Sequence, residues 1–169
     1  GGHIINFPYL MPGENHIIVE TPESTHFESG YYEHHFNVSK EESQTNAIIQ
    51  KNDVRYTIIE VKVTNYHSTN AVDGGRIEIV NTATNEIVGS GQLDSQGNTN
   101  ITTSIKQTGT YDLRVDFKGN EIYNPSSKEL TVTVNRINTY TFVSTYNQTI
   151  GYTGVRVMVK ETDHHFTVR

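Results

Sequence analysis

The chain has 169 residues and a formal net charge of −6 at pH 7, and this length accommodates one domain or parts of several small ones. The negative charge and the lack of a Lys/Arg cluster argue against binding to a nucleic-acid backbone. The absence of cysteine excludes disulfides and Cys-type zinc sites, and no apolar run approaches the ~18 residues of a membrane span.

The residue composition predicts a protein made mostly of β-strands. The chain contains 22 Thr and 16 Asn but only two Met and no Trp. β-Branched residues favour strands and Asn favours turns, and no stretch has convincing helical periodicity. We therefore expect an all-β fold in which helix is nearly absent.

Taken in chain order, alternating apolar and polar residues predict short strands throughout the chain. Three are expected near the N-terminus, at 4–8, 15–20 and 32–39. Seven follow in the middle of the chain, separated by turn residues at intervals of roughly ten: 47–50, 55–65, 74–81, 86–93, 99–106, 111–118 and 129–135. Two more are expected at 140–145 and 154–160. Seven short strands at this spacing are typical of an antiparallel β-sandwich.

A faint internal repeat with a period of 96 residues relates the two ends of the chain. Aligned without a gap, 1–73 matches 97–169 at apolar strand positions and at Gly13 and Gly109, the glycines that open equivalent strands. The period predicts one complete repeat at 45–135, preceded by the second half of a repeat at 1–44 and followed by the first half of another at 136–169. Each partial repeat should leave backbone unpaired and an apolar face uncovered.

Several motif positions of the central segment have a recognisable spacing. They are the Gly74-Gly75 pair, Gly97, the Gly109-Thr-Tyr111 strand opening, Gly119, the Tyr123-Asn-Pro-Ser segment and the closing Thr-Val-Thr-Val run. This spacing resembles the immunoglobulin-like repeats of bacterial surface proteins, particularly the adhesin-like proteins of methanogenic archaea, over 48–135. The first partial repeat departs from the pattern, because it has Glu28-Ser29-Gly30 in the region of the Pro-Ser pair.

The resemblance implies immunoglobulin-like antiparallel β-sandwich repeats in an extracellular, cell-surface protein. The expected function is structural or adhesive and not enzymatic, since no nucleophile elbow, phosphate loop or HExxH motif is present. The chain, which begins without Met, is interpreted as an excerpt of a longer array or as a processed subunit. In the second case, head-to-tail β-strand complementation between subunits would build a filament.

The alternative function is a carbohydrate-binding or accessory β-sandwich module of a secreted protein. Exposed aromatic side chains form the binding platform of many such modules, and Tyr31 and Tyr32 are candidates. Possible partners are therefore neighbouring repeats, other copies of the chain and surface glycans.

Two histidine doublets, at 33–38 and 163–168, raise the question of metal binding. Neighbouring strand residues face opposite ways, so His34 and His35 should not bind one ion together, and only Glu33 with His35, or Asp163 with His165, share a face. We assign no metal site and no cofactor from the sequence. An acid-sensitive interface is the alternative role of these histidines.

The remaining candidate sites are modification and turn sites. The glycosylation sequons are Asn37-Val-Ser, Asn100-Ile-Thr and Asn147-Gln-Thr. Asp53, Asp73 and Asp94 lie near predicted strand ends, where a turn role is favoured over calcium binding. Lys62 and Asn135 are conceivable isopeptide partners, a pairing disfavoured by the outward direction predicted for Lys62.

Overall fold

The structure, a computed structural model, describes residues 4–7 and 10–161, without the side chains of 147–149, 152 and 153. The described residues contain eleven strands and no helix, which confirms the all-β prediction. None of them forms a helix of the length and apolarity that crossing a membrane requires. The strands are β1 (Gly13–Thr21), β2 (Gly30–Val38), β3 (Ser43–Asn52), β4 (Thr57–Asn65), β5 (Arg76–Asn81), β6 (Glu86–Gln92), β7 (Asn98–Thr102), β8 (Gly109–Phe117), β9 (Ser126–Val134), β10 (Thr139–Thr149) and β11 (Tyr152–Glu161).

In the described residues, these strands form two larger antiparallel sheets and two separate hairpins. One sheet has the order β3-β4-β7 and the other the order β6-β5-β8-β9. The hairpins are β1-β2 and β10-β11, and each of these strands is hydrogen-bonded in a sheet only to its hairpin partner. The sandwich-like body of the protein is thus formed by β3 to β9.

The two larger sheets share one apolar core. Ile59, Val61 and Val63 alternate along β4 and are fully buried, whereas Lys62 between them is exposed. The facing sheet contributes the alternating side chains of β8 and β9, which are Leu113, Val115, Phe117, Val132 and Val134. Each such side chain stabilises the fold by about 1.5–3 kcal/mol relative to an exposed one. The alternation of apolar and polar residues along these strands therefore separates a buried face from an exposed one.

Gly97 holds the turn between β6 and β7 against β4. Its φ is +73°, in the left-handed region, and its carbonyl accepts a 2.9 Å hydrogen bond from the Val63 N–H. A Cβ atom at this position would lie 2.5 Å from the Val63 carbonyl oxygen. Glycine is required here both by the backbone conformation and by the close approach of two main chains.

The structure corrects the bounds of several predicted strands. Strand β3 spans Ser43–Asn52 instead of 47–50, and β10 ends at Thr149 instead of 145. Residues 4–7 form no strand, because backbone becomes a strand only when a neighbouring strand pairs with it. Strand β7 ends at Thr102 instead of 106, although Thr103 and Ile105 are still buried. Strand β9 begins at Ser126 instead of 129, directly after Pro125, whose missing N–H prevents an earlier ladder bond.

Candidate functional site: two open hairpins

The first hairpin has the same register as the last hairpin of the sandwich. Gly13 pairs with Val38 and Thr21 with Gly30 at the two ends of β1-β2. An offset of 96 residues converts these pairs into Gly109 with Val134 and Phe117 with Ser126, the two ends of β8-β9. The pairs between them coincide without a shift, so the two ladders are equivalent residue by residue.

The β10-β11 hairpin has the same register as the β3-β4 hairpin. Thr139 pairs with Glu161 in β10-β11, and Ser43 pairs with Asn65 in β3-β4, again 96 residues earlier. The correspondence continues to the pair of Thr145 with Val155, and each hairpin then has a register shift close to its turn. The β1-β2 and β10-β11 hairpins therefore repeat the strand register of the central sandwich.

The equivalent apolar faces differ in what covers them. In β4, Ile59, Val61 and Val63 are 0% exposed under the opposite sheet. The equivalent residues of β11 are Val155, Val157 and Val159, with exposures of 55%, 58% and 64%. The β10-β11 hairpin thus presents to solvent the face that its counterpart buries.

The β1-β2 hairpin is also uncovered, but aromatic rings line part of its face. Tyr32, His34 and Phe36 form a stacked column along β2, with ring centroids 6.4 and 6.0 Å apart. Val19, the counterpart of the fully buried Val115, is 43% exposed. His34 belongs to this column, so it faces away from His35, as the strand geometry predicted.

Residues 4–7 lie where the offset places the end of β7. Ile5 corresponds to Ile101, which pairs with Ile59 of β4 and is only 2% exposed. Ile5 itself is 66% exposed and Ile4 92%, and neither lies in a strand. Within the described part of the chain, β4 is paired on both edges and β11 only with β10, so the hairpin also has an open backbone edge.

A polar cluster occupies the opposite face of β1-β2. The structure brings Glu33 and His35 together as predicted, with 3.1 Å between Glu33 Oε1 and His35 Nε2. His16 joins them from β1, because it is the register partner of His35 and their rings stack at 5.1 Å. Its Nε2 lies 3.9 Å from Glu33 Oε1. The sequence interpretation missed His16, which the 96-residue offset combined with the β8-β9 register could have identified.

Two further side chains contact this cluster. The Tyr31 hydroxyl donates a 3.1 Å hydrogen bond to Glu33 Oε2, and this bond raises the pKa of the tyrosine above its ordinary value. Glu14 Oε1 lies 3.6 Å from Nδ1 of His35, on the side of the ring away from Glu33. The described residues contain no other group of three His or acidic side chains close enough to hold a metal ion. The second doublet, with Asp163 and His165, lies outside the described residues.

Of the three predicted turn aspartates, Asp53 and Asp94 accept hydrogen bonds within their own turns. The backbone carbonyl of Asp73 accepts a hydrogen bond from the Asn120 side chain. Asp53 Oδ1 accepts hydrogen bonds from the N–H groups of Arg55 and Tyr56. Burial alone raises the pKa of Asp53, but these bonds and the Arg55 guanidinium bring it below its ordinary value. Asp94 accepts comparable bonds from Gln96 and Asn98. These contacts favour the turn role over calcium binding.

The structure also locates the predicted modification sites. Lys62 Nζ lies 3.3 Å from Asn98 Oδ1, and the backbone of Asn135 pairs with that of Asp53. The two candidate isopeptide partners therefore contact other residues. Asn37 and Asn100 are exposed on β2 and β7. Asn147 lies in β10, with its side chain outside the described part of the structure. Glycosylation at all three positions stays a prediction.

Comparison of the chain with protein-family models, curated proteins and solved structures found no match. The structural basis for inferring a function is therefore the pair of open hairpins and the histidine cluster.

Proposed function

We propose that the chain is a non-enzymatic, extracellular structural or adhesive protein built from tandem immunoglobulin-like β-sandwich repeats. Residues 1–44, 45–135 and 136–169 belong to three successive repeats in this proposal. The observation that carries it is the residue-by-residue agreement of β1-β2 with β8-β9 and of β10-β11 with β3-β4.

The sheet order supports the immunoglobulin-like assignment of the central repeat. Three strands face four, and of the last two strands of the sandwich β8 pairs with β5 and β9 pairs with β8. In the constant-type immunoglobulin fold the fourth strand joins the sheet of the first two strands. Here β6 pairs with β5 instead, a variation found among sandwiches that share the architecture without sharing the exact topology.

The two ends of the chain are complementary parts of one sandwich. The β10-β11 hairpin supplies the first two strands of a repeat, whereas 4–7 and β1-β2 supply the last three. When these ends meet, only the equivalents of β5 and β6 are missing. Val155, Val157 and Val159 would be buried, and the open edge of β11 would gain a backbone partner.

The occupant of each open hairpin is the complementary end of an equivalent repeat. For the chain in isolation, a second copy supplies that end, and repeated head-to-tail pairing extends the assembly into a filament. A heterologous contact of this kind leaves one free end on each subunit, so growth does not stop at a dimer.

Light scattering after size-exclusion chromatography, with electron microscopy of the same fractions, tests this assembly. We expect the purified chain to form oligomers and filaments and Val157→Lys to be monomeric, because a charge would then lie on the buried face. Met158→Lys is the matched control, since Met158 lies next to Val157 and faces the other side of β11. A monomeric wild-type chain that resists proteases at both ends would contradict the assembly, as would equal assembly of both variants.

Carbohydrate binding is a second candidate, favoured by the exposure of Tyr31 (63%) and Tyr32 (61%). Successive strand residues face opposite ways, so these rings do not form one platform. Tyr31 borders an open pocket lined also by Glu20, Thr21 and Gly30, which is where a sugar would dock. A glycan array tests this candidate: signals that Tyr31→Ala abolishes would favour it over a purely structural role.

A further inference from the structure

We propose that His16, Glu33 and His35 form a binding site for one divalent transition-metal ion, with Zn²⁺ as its best-fitting occupant. The site lies on the outer face of β1-β2, away from the apolar face that the proposed assembly would bury. Metal binding and assembly are thus independent properties of the same hairpin.

The spacing of the donor atoms fits a shared ion. Ligand atoms at ~2.0–2.1 Å from a tetrahedral zinc lie about 3.3 Å from one another. Glu33 Oε1 is 3.1 Å from Nε2 of His35 and 3.9 Å from Nε2 of His16. One donor atom from each residue lies within 4.8 Å of the others. Small side-chain rotations, without backbone movement, would complete a three-ligand site.

The hairpin ladder holds the ligands in place. His16 and His35 are directly opposed in an unbroken antiparallel register, and Glu33 shares their face because it lies two residues before His35. Two imidazoles and one carboxylate are the protein ligands of many zinc sites that keep a fourth position open. Calcium and magnesium prefer oxygen ligands, so this donor set selects against them.

Partners outside the ligand set are also in place. Histidine ligands usually direct their second ring nitrogen to a carboxylate, and Glu14 lies 3.6 Å from Nδ1 of His35. Tyr31 donates its hydroxyl hydrogen to Glu33 Oε2, leaving Oε1 to face the two histidines. The Tyr31 contact orients Glu33, and a small rotation of Glu14 would let its carboxylate accept a hydrogen bond from Nδ1 of a metal-bound His35.

The cluster is specific to the first hairpin. The equivalent positions in β8-β9 are Asp112, Glu129 and Thr131, and there the Thr131 hydroxyl donates a 2.7 Å hydrogen bond to Asp112. A hydrogen-bonded pair of side chains is thus enough to stabilise this position of the ladder in β8-β9. The two imidazoles in β1-β2 replace that hydrogen bond with nitrogen donors.

Calorimetric titration with Zn²⁺ tests the proposal on the full chain. The background variant has His164 and His165 replaced by alanine, which removes the second doublet as a competing ligand source. We expect one ion per chain, and we expect His16→Ala, His35→Ala and Glu33→Gln each to weaken binding at least about tenfold. Glu14→Gln, which removes a positioning residue, should weaken it about tenfold as well. His26→Ala is the control, because His26 is exposed outside the hairpin strands and should change the affinity little.

A spectroscopic measurement distinguishes the removal of one metal ligand from unfolding of the whole β1-β2 hairpin. Cu²⁺ bound to the background variant should give an electron paramagnetic resonance spectrum with two nitrogen couplings, and His16→Ala should retain one. Absence of Zn²⁺ binding, or binding unaffected by the His16 and His35 substitutions, would overturn the proposal.

Discussion

Val61 and Val157 occupy the same register position in two equivalent hairpins, yet one is fully buried and the other is 58% exposed. Val61 pairs with Ala47 and lies beneath the β6-β5-β8-β9 sheet, whereas Val157 pairs with Val143 in a hairpin that no sheet of the described residues faces. The difference between the two sites is the covering sheet, since the residue type and the register position are the same. Identical substitutions at the two positions should therefore have different consequences.

Val61→Ala should lower the free energy of unfolding of the central sandwich by at least about 2 kcal/mol, because two buried methyl groups are lost and a cavity remains. Val157→Ala should change it by less than about 0.5 kcal/mol, as is usual for an exposed site, and should weaken oligomers instead. Urea unfolding followed by far-ultraviolet circular dichroism suits this chain, which has no Trp. Equal destabilisation by both variants would show that β10-β11 is covered within its own chain.

A disulfide between chains should form when Ile5 and Val155 are both replaced by cysteine. These residues correspond to Ile101 and Ile59, which pair directly in the β4-β7 ladder. The natural chain has no cysteine, so no background bond competes. Non-reducing electrophoresis should show a ladder of dimers and higher species. Ile4→Cys with Val155→Cys is the control, since neighbouring residues face opposite sides of a strand and should cross-link poorly. A ladder of equal strength in both variants would argue against the predicted register.

Gly97→Ala should destabilise the central sandwich by at least about 2 kcal/mol, because both strain and a close contact are introduced. The added Cβ would meet the Val63 carbonyl oxygen at 2.5 Å, at a φ of +73°. Gly74→Ala is the matched control: its φ of +71° is similar, but its added Cβ would have no atom within 4 Å, so only the conformational cost of about 1 kcal/mol remains. Thermal unfolding of the two variants measures the difference, and equal melting temperatures would refute the contact argument.

Asp53→Asn should flatten the acid dependence of stability. The folded-state pKa of Asp53 lies below its ordinary value, so the unfolded chain binds the proton first as the pH falls. The stabilisation from the ionised carboxylate is present above pH ~4 and is lost as the pH falls through the folded-state pKa. The amide keeps an acceptor oxygen but carries no charge. Urea unfolding at pH 7, 5 and 3 checks this, and parallel stability profiles for wild type and variant would contradict it.

Alternation along the chain was enough to predict most strands and the buried side of the sandwich. Leu113, Val115 and Phe117 recur every second residue, and this period determines which side chains share a face. The segment 4–7 has apolar residues like those of the predicted strands but forms no strand. A strand forms only where a neighbouring strand pairs with it, and local composition does not provide that neighbour.

The histidine cluster shows a second limit of reading along the chain. Glu33 and His35 are two residues apart, so strand geometry alone placed them on one face. His16 is distant in sequence, and only the register of β1 against β2 brings it opposite His35. Contacts across a ladder become predictable once a second hairpin with the same register is recognised.

Two hairpins of matching register within one polypeptide also create a competition during folding. The β1-β2 ladder has the length and pairing of β8-β9, so it competes with the native hairpin for the place beside β5. Misassembly and strand exchange of this kind are characteristic failures of repetitive proteins. The two hairpins differ in their side chains: Tyr32 and His34 of β2 stand at the positions of Lys128 and Leu130 of β9. This difference in sequence disfavours docking of β1-β2 in the place of β8-β9.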